Sequence, residues 1–165
     1  PHDRTLQLGK DEVIMIEGIH SFNPVIMGDL AHRATSIYLS VASALVPEKG
    51  ARLEPYMLRF LRRAMRDSLF RSSPVEATLR QWNSVRRGER LYISPYRGQA
   101  DIAIDTFLPY EVNILMERLT PVLRECRDAL KDAGLAPVGD ILGTISPIAY
   151  EGRIPEDSVL HEFIG

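Results

Sequence analysis

The sequence predicts an α/β fold: a parallel sheet with flanking helices. Two observations carry this. Short apolar stretches rich in β-branched residues alternate along the chain with longer stretches of helical spacing, the order that produces parallel sheets covered by helices. The first such stretch, residues 12–18, is apolar at all four central positions (Val13, Ile14, Met15, Ile16), which suits a strand buried on both faces. With 165 residues, 45% of them hydrophobic, the chain can bury one sizeable core, and a single unit over 1–165 is expected.

The elements follow in order. Residues 1–12 are polar and unpatterned. The strand at 12–18 ends in Glu17 and Gly18, and the carboxyl ends of parallel strands are where sites form. Asn23-Pro24 marks a turn, and 25–33 predicts one short helix that Gly28 weakens. Residues 36–41 alternate as a second strand, and 47–50 form a loop. Pro55 suits a first helical position, and Leu58, Leu61, Met65 and Leu69 continue at helical spacing. Ser73-Pro74 opens a second helix to about Val85, with Ser73 as cap and Glu76 as its capping-box partner; 86–90 close it. Residues 101–105 resemble a third strand. From Leu108 to Leu130 one amphipathic stripe predicts two helices that meet at Thr120-Pro121, and Gly134 ends it. A helix near 138–142 and a last helical turn or two after 154–157 complete the chain.

Charge is divided unevenly. Residues 59–90 hold nine arginines, no lysine and three acids, a local +6 in a chain of formal net charge -2. Five of those arginines, Arg59, Arg62, Arg63, Arg66 and Arg71, fall on or just after one helix. Guanidinium groups keep their charge at any working pH and grip two oxygens at fixed geometry, so this face suits a phosphate-like anion. The other reading is a solvated basic face, weakened because Asp67 is the one acid within the helix to compensate it. Glu17 can hold a hard cation through its water shell, or can end a strand facing solvent. His20 is a site residue or a loop imidazole.

Several classes are excluded or disfavoured. A single cysteine, Cys126, rules out an internal disulfide and a cysteine zinc site, and its apolar surroundings suit a buried structural thiol. The histidines have no ligand spacing, and no serine-nucleophile elbow, CxxC pair or Walker-type phosphate loop occurs. With no long apolar run and no signal pattern, a cytoplasmic protein is expected. Opening at Pro1 and stopping at Gly165, the chain reads as a piece of something longer.

Five blocks taken in order resemble one family: Ile14 to His20; Leu61 to Asp67 with Arg71 beyond; Trp82 to Glu89; Ala100 to Ile102; and Leu160 to Gly165. Together they are similar to the later part of a uridine kinase-like P-loop kinase of the phosphoribulokinase/uridine kinase group. The resemblance implies a partial P-loop kinase fold with a helical lid, and transfer of the γ-phosphoryl group of ATP to a uridine- or cytidine-like hydroxyl with Mg²⁺. It assigns Glu17 to metal and substrate organisation, Arg66 and Arg71 to the lid over the phosphates, and Arg63, Gln81 and His20 to substrate binding. The family's phosphate-binding loop and catalytic aspartate precede Val13. The chain is therefore expected to be the C-terminal part of one kinase domain, inactive alone, whose partners are the N-terminal part and a nucleoside-like substrate; a homo-oligomer is compatible, and no membrane or nucleic-acid partner is expected. Where the family often carries Arg-Gly-Arg, this chain has Arg71-Ser72-Ser73. Alternatives are another alcohol or sugar-phosphate acceptor on the same fold, or a non-catalytic polyanion-binding module.

Overall fold

Helix α2 (Pro55–Phe70) is the hub of the structure, a computed structural model that describes residues 6–150 and 152–165. Pro55 occupies its first turn, where a missing N–H costs nothing. Met57, Leu58, Phe60, Leu61, Ala64 and Met65 are all buried, matching the helical spacing of the sequence. Helix α3 (Val75–Tyr92) returns alongside: Arg59 near the start of α2 pairs with Glu89 near the end of α3, and Asp67 near the end of α2 meets Thr78 at the start of α3. The two helices thus form an antiparallel hairpin, locked by the edge-to-face pair Phe60 and Trp82 with ring centroids 5.4 Å apart. Such a pair adds about 1 kcal/mol beyond the area it buries.

The second and third predicted strands are present. β1 (Ile37–Ser40) and β2 (Ile102–Asp105) pair in parallel with Ile37 opposite Ile102 and Ser40 opposite Asp105. The fold is mixed α/β, mostly helical, with a two-stranded parallel sheet. Aspartates tie its ends: Asp101 accepts from the Ser36 amide and hydroxyl, and Asp105 accepts from Ser43 and the Ala42 amide.

The strand expected at 12–18 is not formed. Those residues are irregular and exposed, with Val13 at 90% and Met15 at 89% of full accessibility. A strand needs neighbours for its backbone groups, and no described segment pairs with this one. The helix expected over 25–33 divides as well. α1 (Pro24–Met27) stops at Gly28, whose φ of 48° lies in the left-handed region, and a 3₁₀ segment continues to Arg33.

Two other boundaries shift. The capping box at Ser73 does not form; Pro74 is the N-cap of α3 and no side chain caps it, while the helix runs on through 86–90 to Tyr92. The predicted break at Thr120-Pro121 is absent too. α4 (Glu111–Glu125) passes straight through Pro121 and ends at Cys126, before α5 (Arg127–Asp132). Proline deprives the Glu117 carbonyl of its donor, but Glu117 is exposed, so water can replace it. The Thr120 hydroxyl turns to the Met116 sulfur at 3.7 Å instead of capping. Gly134 ends α5 with a φ of 70°, the left-handed stop the sequence predicts.

Val112, Leu115, Met116, Leu119 and Leu123 of α4 pack on α2, as do Phe163 and Ile164 of the last helix, α7 (His161–Ile164). α6 (Ala136–Asp140) lies against α5, and Cys126 is a buried free thiol, pushed up in pKa by burial, in keeping with a structural role. Among the described residues no helix is long and apolar enough to cross a membrane.

Candidate functional site

Three arginines of α2, Arg59, Arg62 and Arg66, reach acids that lie far away in sequence. Arg62 is buried and donates through Nε to Glu111 of α4 at 2.6 Å, and through its terminal nitrogens to the Thr106 hydroxyl and carbonyl. Phe163 packs on the Arg62 guanidinium, its ring centre 5.1 Å from Cζ. Burial pushes the Glu111 carboxyl up, and the Arg62 hydrogen bond and charge oppose that push. Arg59 and Arg86 both hold Glu89. For Arg59 and Arg62 the sequence could not show this pairing, because their acids come from α3 and α4; Arg86 pairs three residues along its own helix.

Arg63, Arg66 and Arg71 are placed differently. Arg63 and Arg71 converge on one carboxylate, Asp67, at 3.1 and 3.0 Å, so two positive charges share one negative. Asp67 also accepts from the Thr78 hydroxyl at 3.2 Å, which fixes it between the two helices. Arg66 reaches Glu162 of α7 at 3.1 Å, an exposed pair of the kind worth under about 1 kcal/mol. The Nε atoms of Arg63 and Arg66 are both buried without a hydrogen-bond partner: Arg63 Nε approaches Asp67 as an ion pair only, and Arg66 meets Glu162 through a terminal nitrogen. Beside them at the hairpin tip, Ser72 takes a φ of 49°, a left-handed conformation unusual for a residue with a Cβ. The tip therefore holds excess positive charge, two unspent donors and one strained residue.

The other predicted site residues are not bonded to this cluster among the described residues, although Gln81 lies one turn beyond Thr78 on α3. Gln81 is exposed on α3, and Glu17 and His20 are exposed in the irregular N-terminal segment; none makes a side-chain hydrogen bond or ion pair among the described residues. Also among the described residues, no group of three or more His, Cys, Asp or Glu side chains is arranged to hold a metal ion.

Sequence reasoning missed a second arginine group. A cleft of about 300 Å³ lies between β1, the start of α2 and the end of α3, lined by Arg59, Arg86 and Arg97 together with Tyr38 and Tyr56. Arg86 stacks on Tyr56 at 4.1 Å, and Arg97 lies over Tyr38 at 6.0 Å. Arg97 falls outside the arginine-rich window of the sequence, so charge counting could not reach it.

Comparison with known proteins gives no match: no family model, no curated protein and no solved structure matches this chain.

Proposed function

We propose that this chain supplies the lid hairpin and one edge of the sheet of an ATP-dependent kinase that passes a γ-phosphoryl group to a nucleoside-type hydroxyl. The hairpin tip is the observation that carries the reading. Arg63 and Arg71 share the single buried carboxylate of Asp67, Arg66 beside them pairs with the exposed Glu162, and Ser72 takes the left-handed conformation at the position where the uridine kinase-like pattern often has glycine.

The residues present fit phosphate. Arg71 is half exposed at the tip, and Arg63 and Arg66 remain partly exposed beside it, so guanidinium groups there can meet oxygen acceptors. Closing such a hairpin over the phosphates would let these guanidiniums bind and orient the oxygens, exclude water and stabilise the charge that develops in transfer, without moving a proton themselves. Mg²⁺ is bound in such sites by one or two carboxylates plus phosphate, and Glu17, exposed and unpaired among the described residues, would supply one. Bound there, the ion would neutralise charge on the transferred group.

The sheet supports the reading independently. Ile37, Leu39, Ile102 and Ile104 share one face of β1–β2 and remain 45% to 62% exposed, whereas parallel sheets are covered on both faces. The rest of a kinase domain, with its phosphate-binding loop, would cover them. A broad polyanion module is less well supported, because Arg62 is buried against Glu111 and so withdrawn from the basic face.

The test is ADP formation by the polypeptide extended with its natural sequence upstream of Pro1, with uridine, cytidine or a sugar-phosphate alcohol as acceptor. Acceptor-dependent turnover that requires Mg²⁺ is expected, the preferred acceptor separating the nucleoside reading from the sugar-phosphate one. Absence of a Gly-rich Lys-Ser loop upstream, or no acceptor-dependent ADP with any of them, overturns it.

A further inference from the structure

The cleft between β1 and the base of the α2–α3 hairpin is built for an anion of its own. Glu89 holds Arg59 and Arg86 together, so one carboxylate orients two guanidiniums and leaves a positive charge unbalanced. The cleft's other acid, Glu54, is engaged by Arg52 at 2.7 Å. Arg97 has no acidic partner among the described residues.

Stacking adds direction to this charge. Arg86 lies over the Tyr56 ring at 4.1 Å and Arg97 over that of Tyr38 at 6.0 Å, cation–π contacts that hold both guanidiniums at the cleft without using a hydrogen-bond donor. Hydroxyls complete the donor set. Tyr38 and Ser40 alternate onto the same face of β1, Ser94 faces them from the 3₁₀ segment before β2, and none of the three hydroxyls makes a hydrogen bond among the described residues.

From this we infer that the cleft is a binding site for a small phosphate anion, of the size of pyrophosphate or the phosphate end of a simple ester. Its volume sits at the lower end of small-molecule sites, too small for a whole nucleotide triphosphate. The site is separate from the hairpin tip. The cleft is lined by Arg59, Arg86 and Arg97 and the tip is formed by Arg63, Arg66 and Arg71, so the two share no arginine. It stands whether or not the hairpin serves a kinase.

The experiment is a titration of the 165-residue chain with sodium pyrophosphate at low ionic strength, followed by backbone amide NMR. Saturable shifts concentrated at residues 36–41 and 93–98 are expected, with the affinity reduced about tenfold by Arg97→Gln, since a charge-assisted hydrogen bond is worth about that much. Arg127→Gln removes the same charge from a side chain of α5 that does not line the cleft, and is expected to weaken binding less than Arg97→Gln does. Wild-type affinity in Arg97→Gln, equal weakening by Arg127→Gln, or shifts confined to 63–73 would each overturn the assignment.

Discussion

Arg62 on α2 and Glu111 on α4 meet through Nε and Oε2 at 2.6 Å, both closed off from solvent. Removing one partner of a buried pair leaves the other charge uncompensated, so Arg62→Ala should lower unfolding free energy by about 3–5 kcal/mol. The double variant Arg62→Met/Glu111→Leu should recover most of it, because neither charge is then desolvated. Urea denaturation of the three proteins measures both; a single variant within 1 kcal/mol of wild type, on the scale of an exposed pair, would show that the pair is not buried in solution.

Ser72 takes a left-handed conformation that costs a residue with a Cβ about 1 kcal/mol or more. Ser72→Gly should therefore raise the denaturation midpoint, less whatever the added freedom of glycine in the unfolded chain takes back. A lowered midpoint would mean that the serine conformation carries no strain.

The sheet ends should be acid-sensitive. Backbone and side-chain hydrogen bonds from Ser36 hold the Asp101 carboxyl below its ordinary range; at Asp105 burial pushes upward, but donors from Ser43, Ala42 and Phe107 outweigh it and the net direction is also down. A depressed carboxylate stabilises the fold above its unfolded pKa, near about 4, and that stability is lost as pH falls through the lower folded value. The Ser36 and Ala42 amides should then exchange faster at pH 2.5 than at pH 5, relative to the buried amides of Leu61 and Leu115. Equal change at all four sites would refute a local effect.

On the proposed kinase reading, Arg66→Ala and Arg71→Ala in the polypeptide extended upstream should reduce kcat more than they raise KM for the nucleoside, because lid arginines act on charge that appears in transfer. Steady-state kinetics would count against the lid if both variants match wild type. Glu17→Gln should shift the Mg²⁺ titration to higher concentration, and an unchanged titration would remove Glu17 from metal binding.

The outer face of β1–β2 should bind hydrophobic dyes. Leu39→Thr with Ile104→Thr puts a β-branched residue, favoured in strands, at both positions and should reduce dye fluorescence while the helical circular dichroism persists. Unchanged fluorescence would place the exposed apolar surface elsewhere.

Local patterns made much of this structure legible. The spacing of Leu58, Leu61 and Met65, the alternation at 37–40 and the glycine at 134 each encode their element through neighbours a few residues away. The strand expected at 12–18 failed because apolar composition states a need for burial without supplying the partner. Pro121 misled for the opposite reason: a helix end was read from a residue that packing on both sides held helical.

The sequence by itself determined that the chain is mixed α/β, that arginine concentrates on one helix and that Cys126 is buried. Only the tertiary structure decided which arginines are committed and which are available. Glu89, Glu111 and Glu162 lie thirty to ninety-six positions from the arginines they pair with on α2. Coulomb attraction depends on distance in space, so a charge count along the chain cannot separate the buried strut Arg62 from the donors at the hairpin tip or from Arg97 in its cleft.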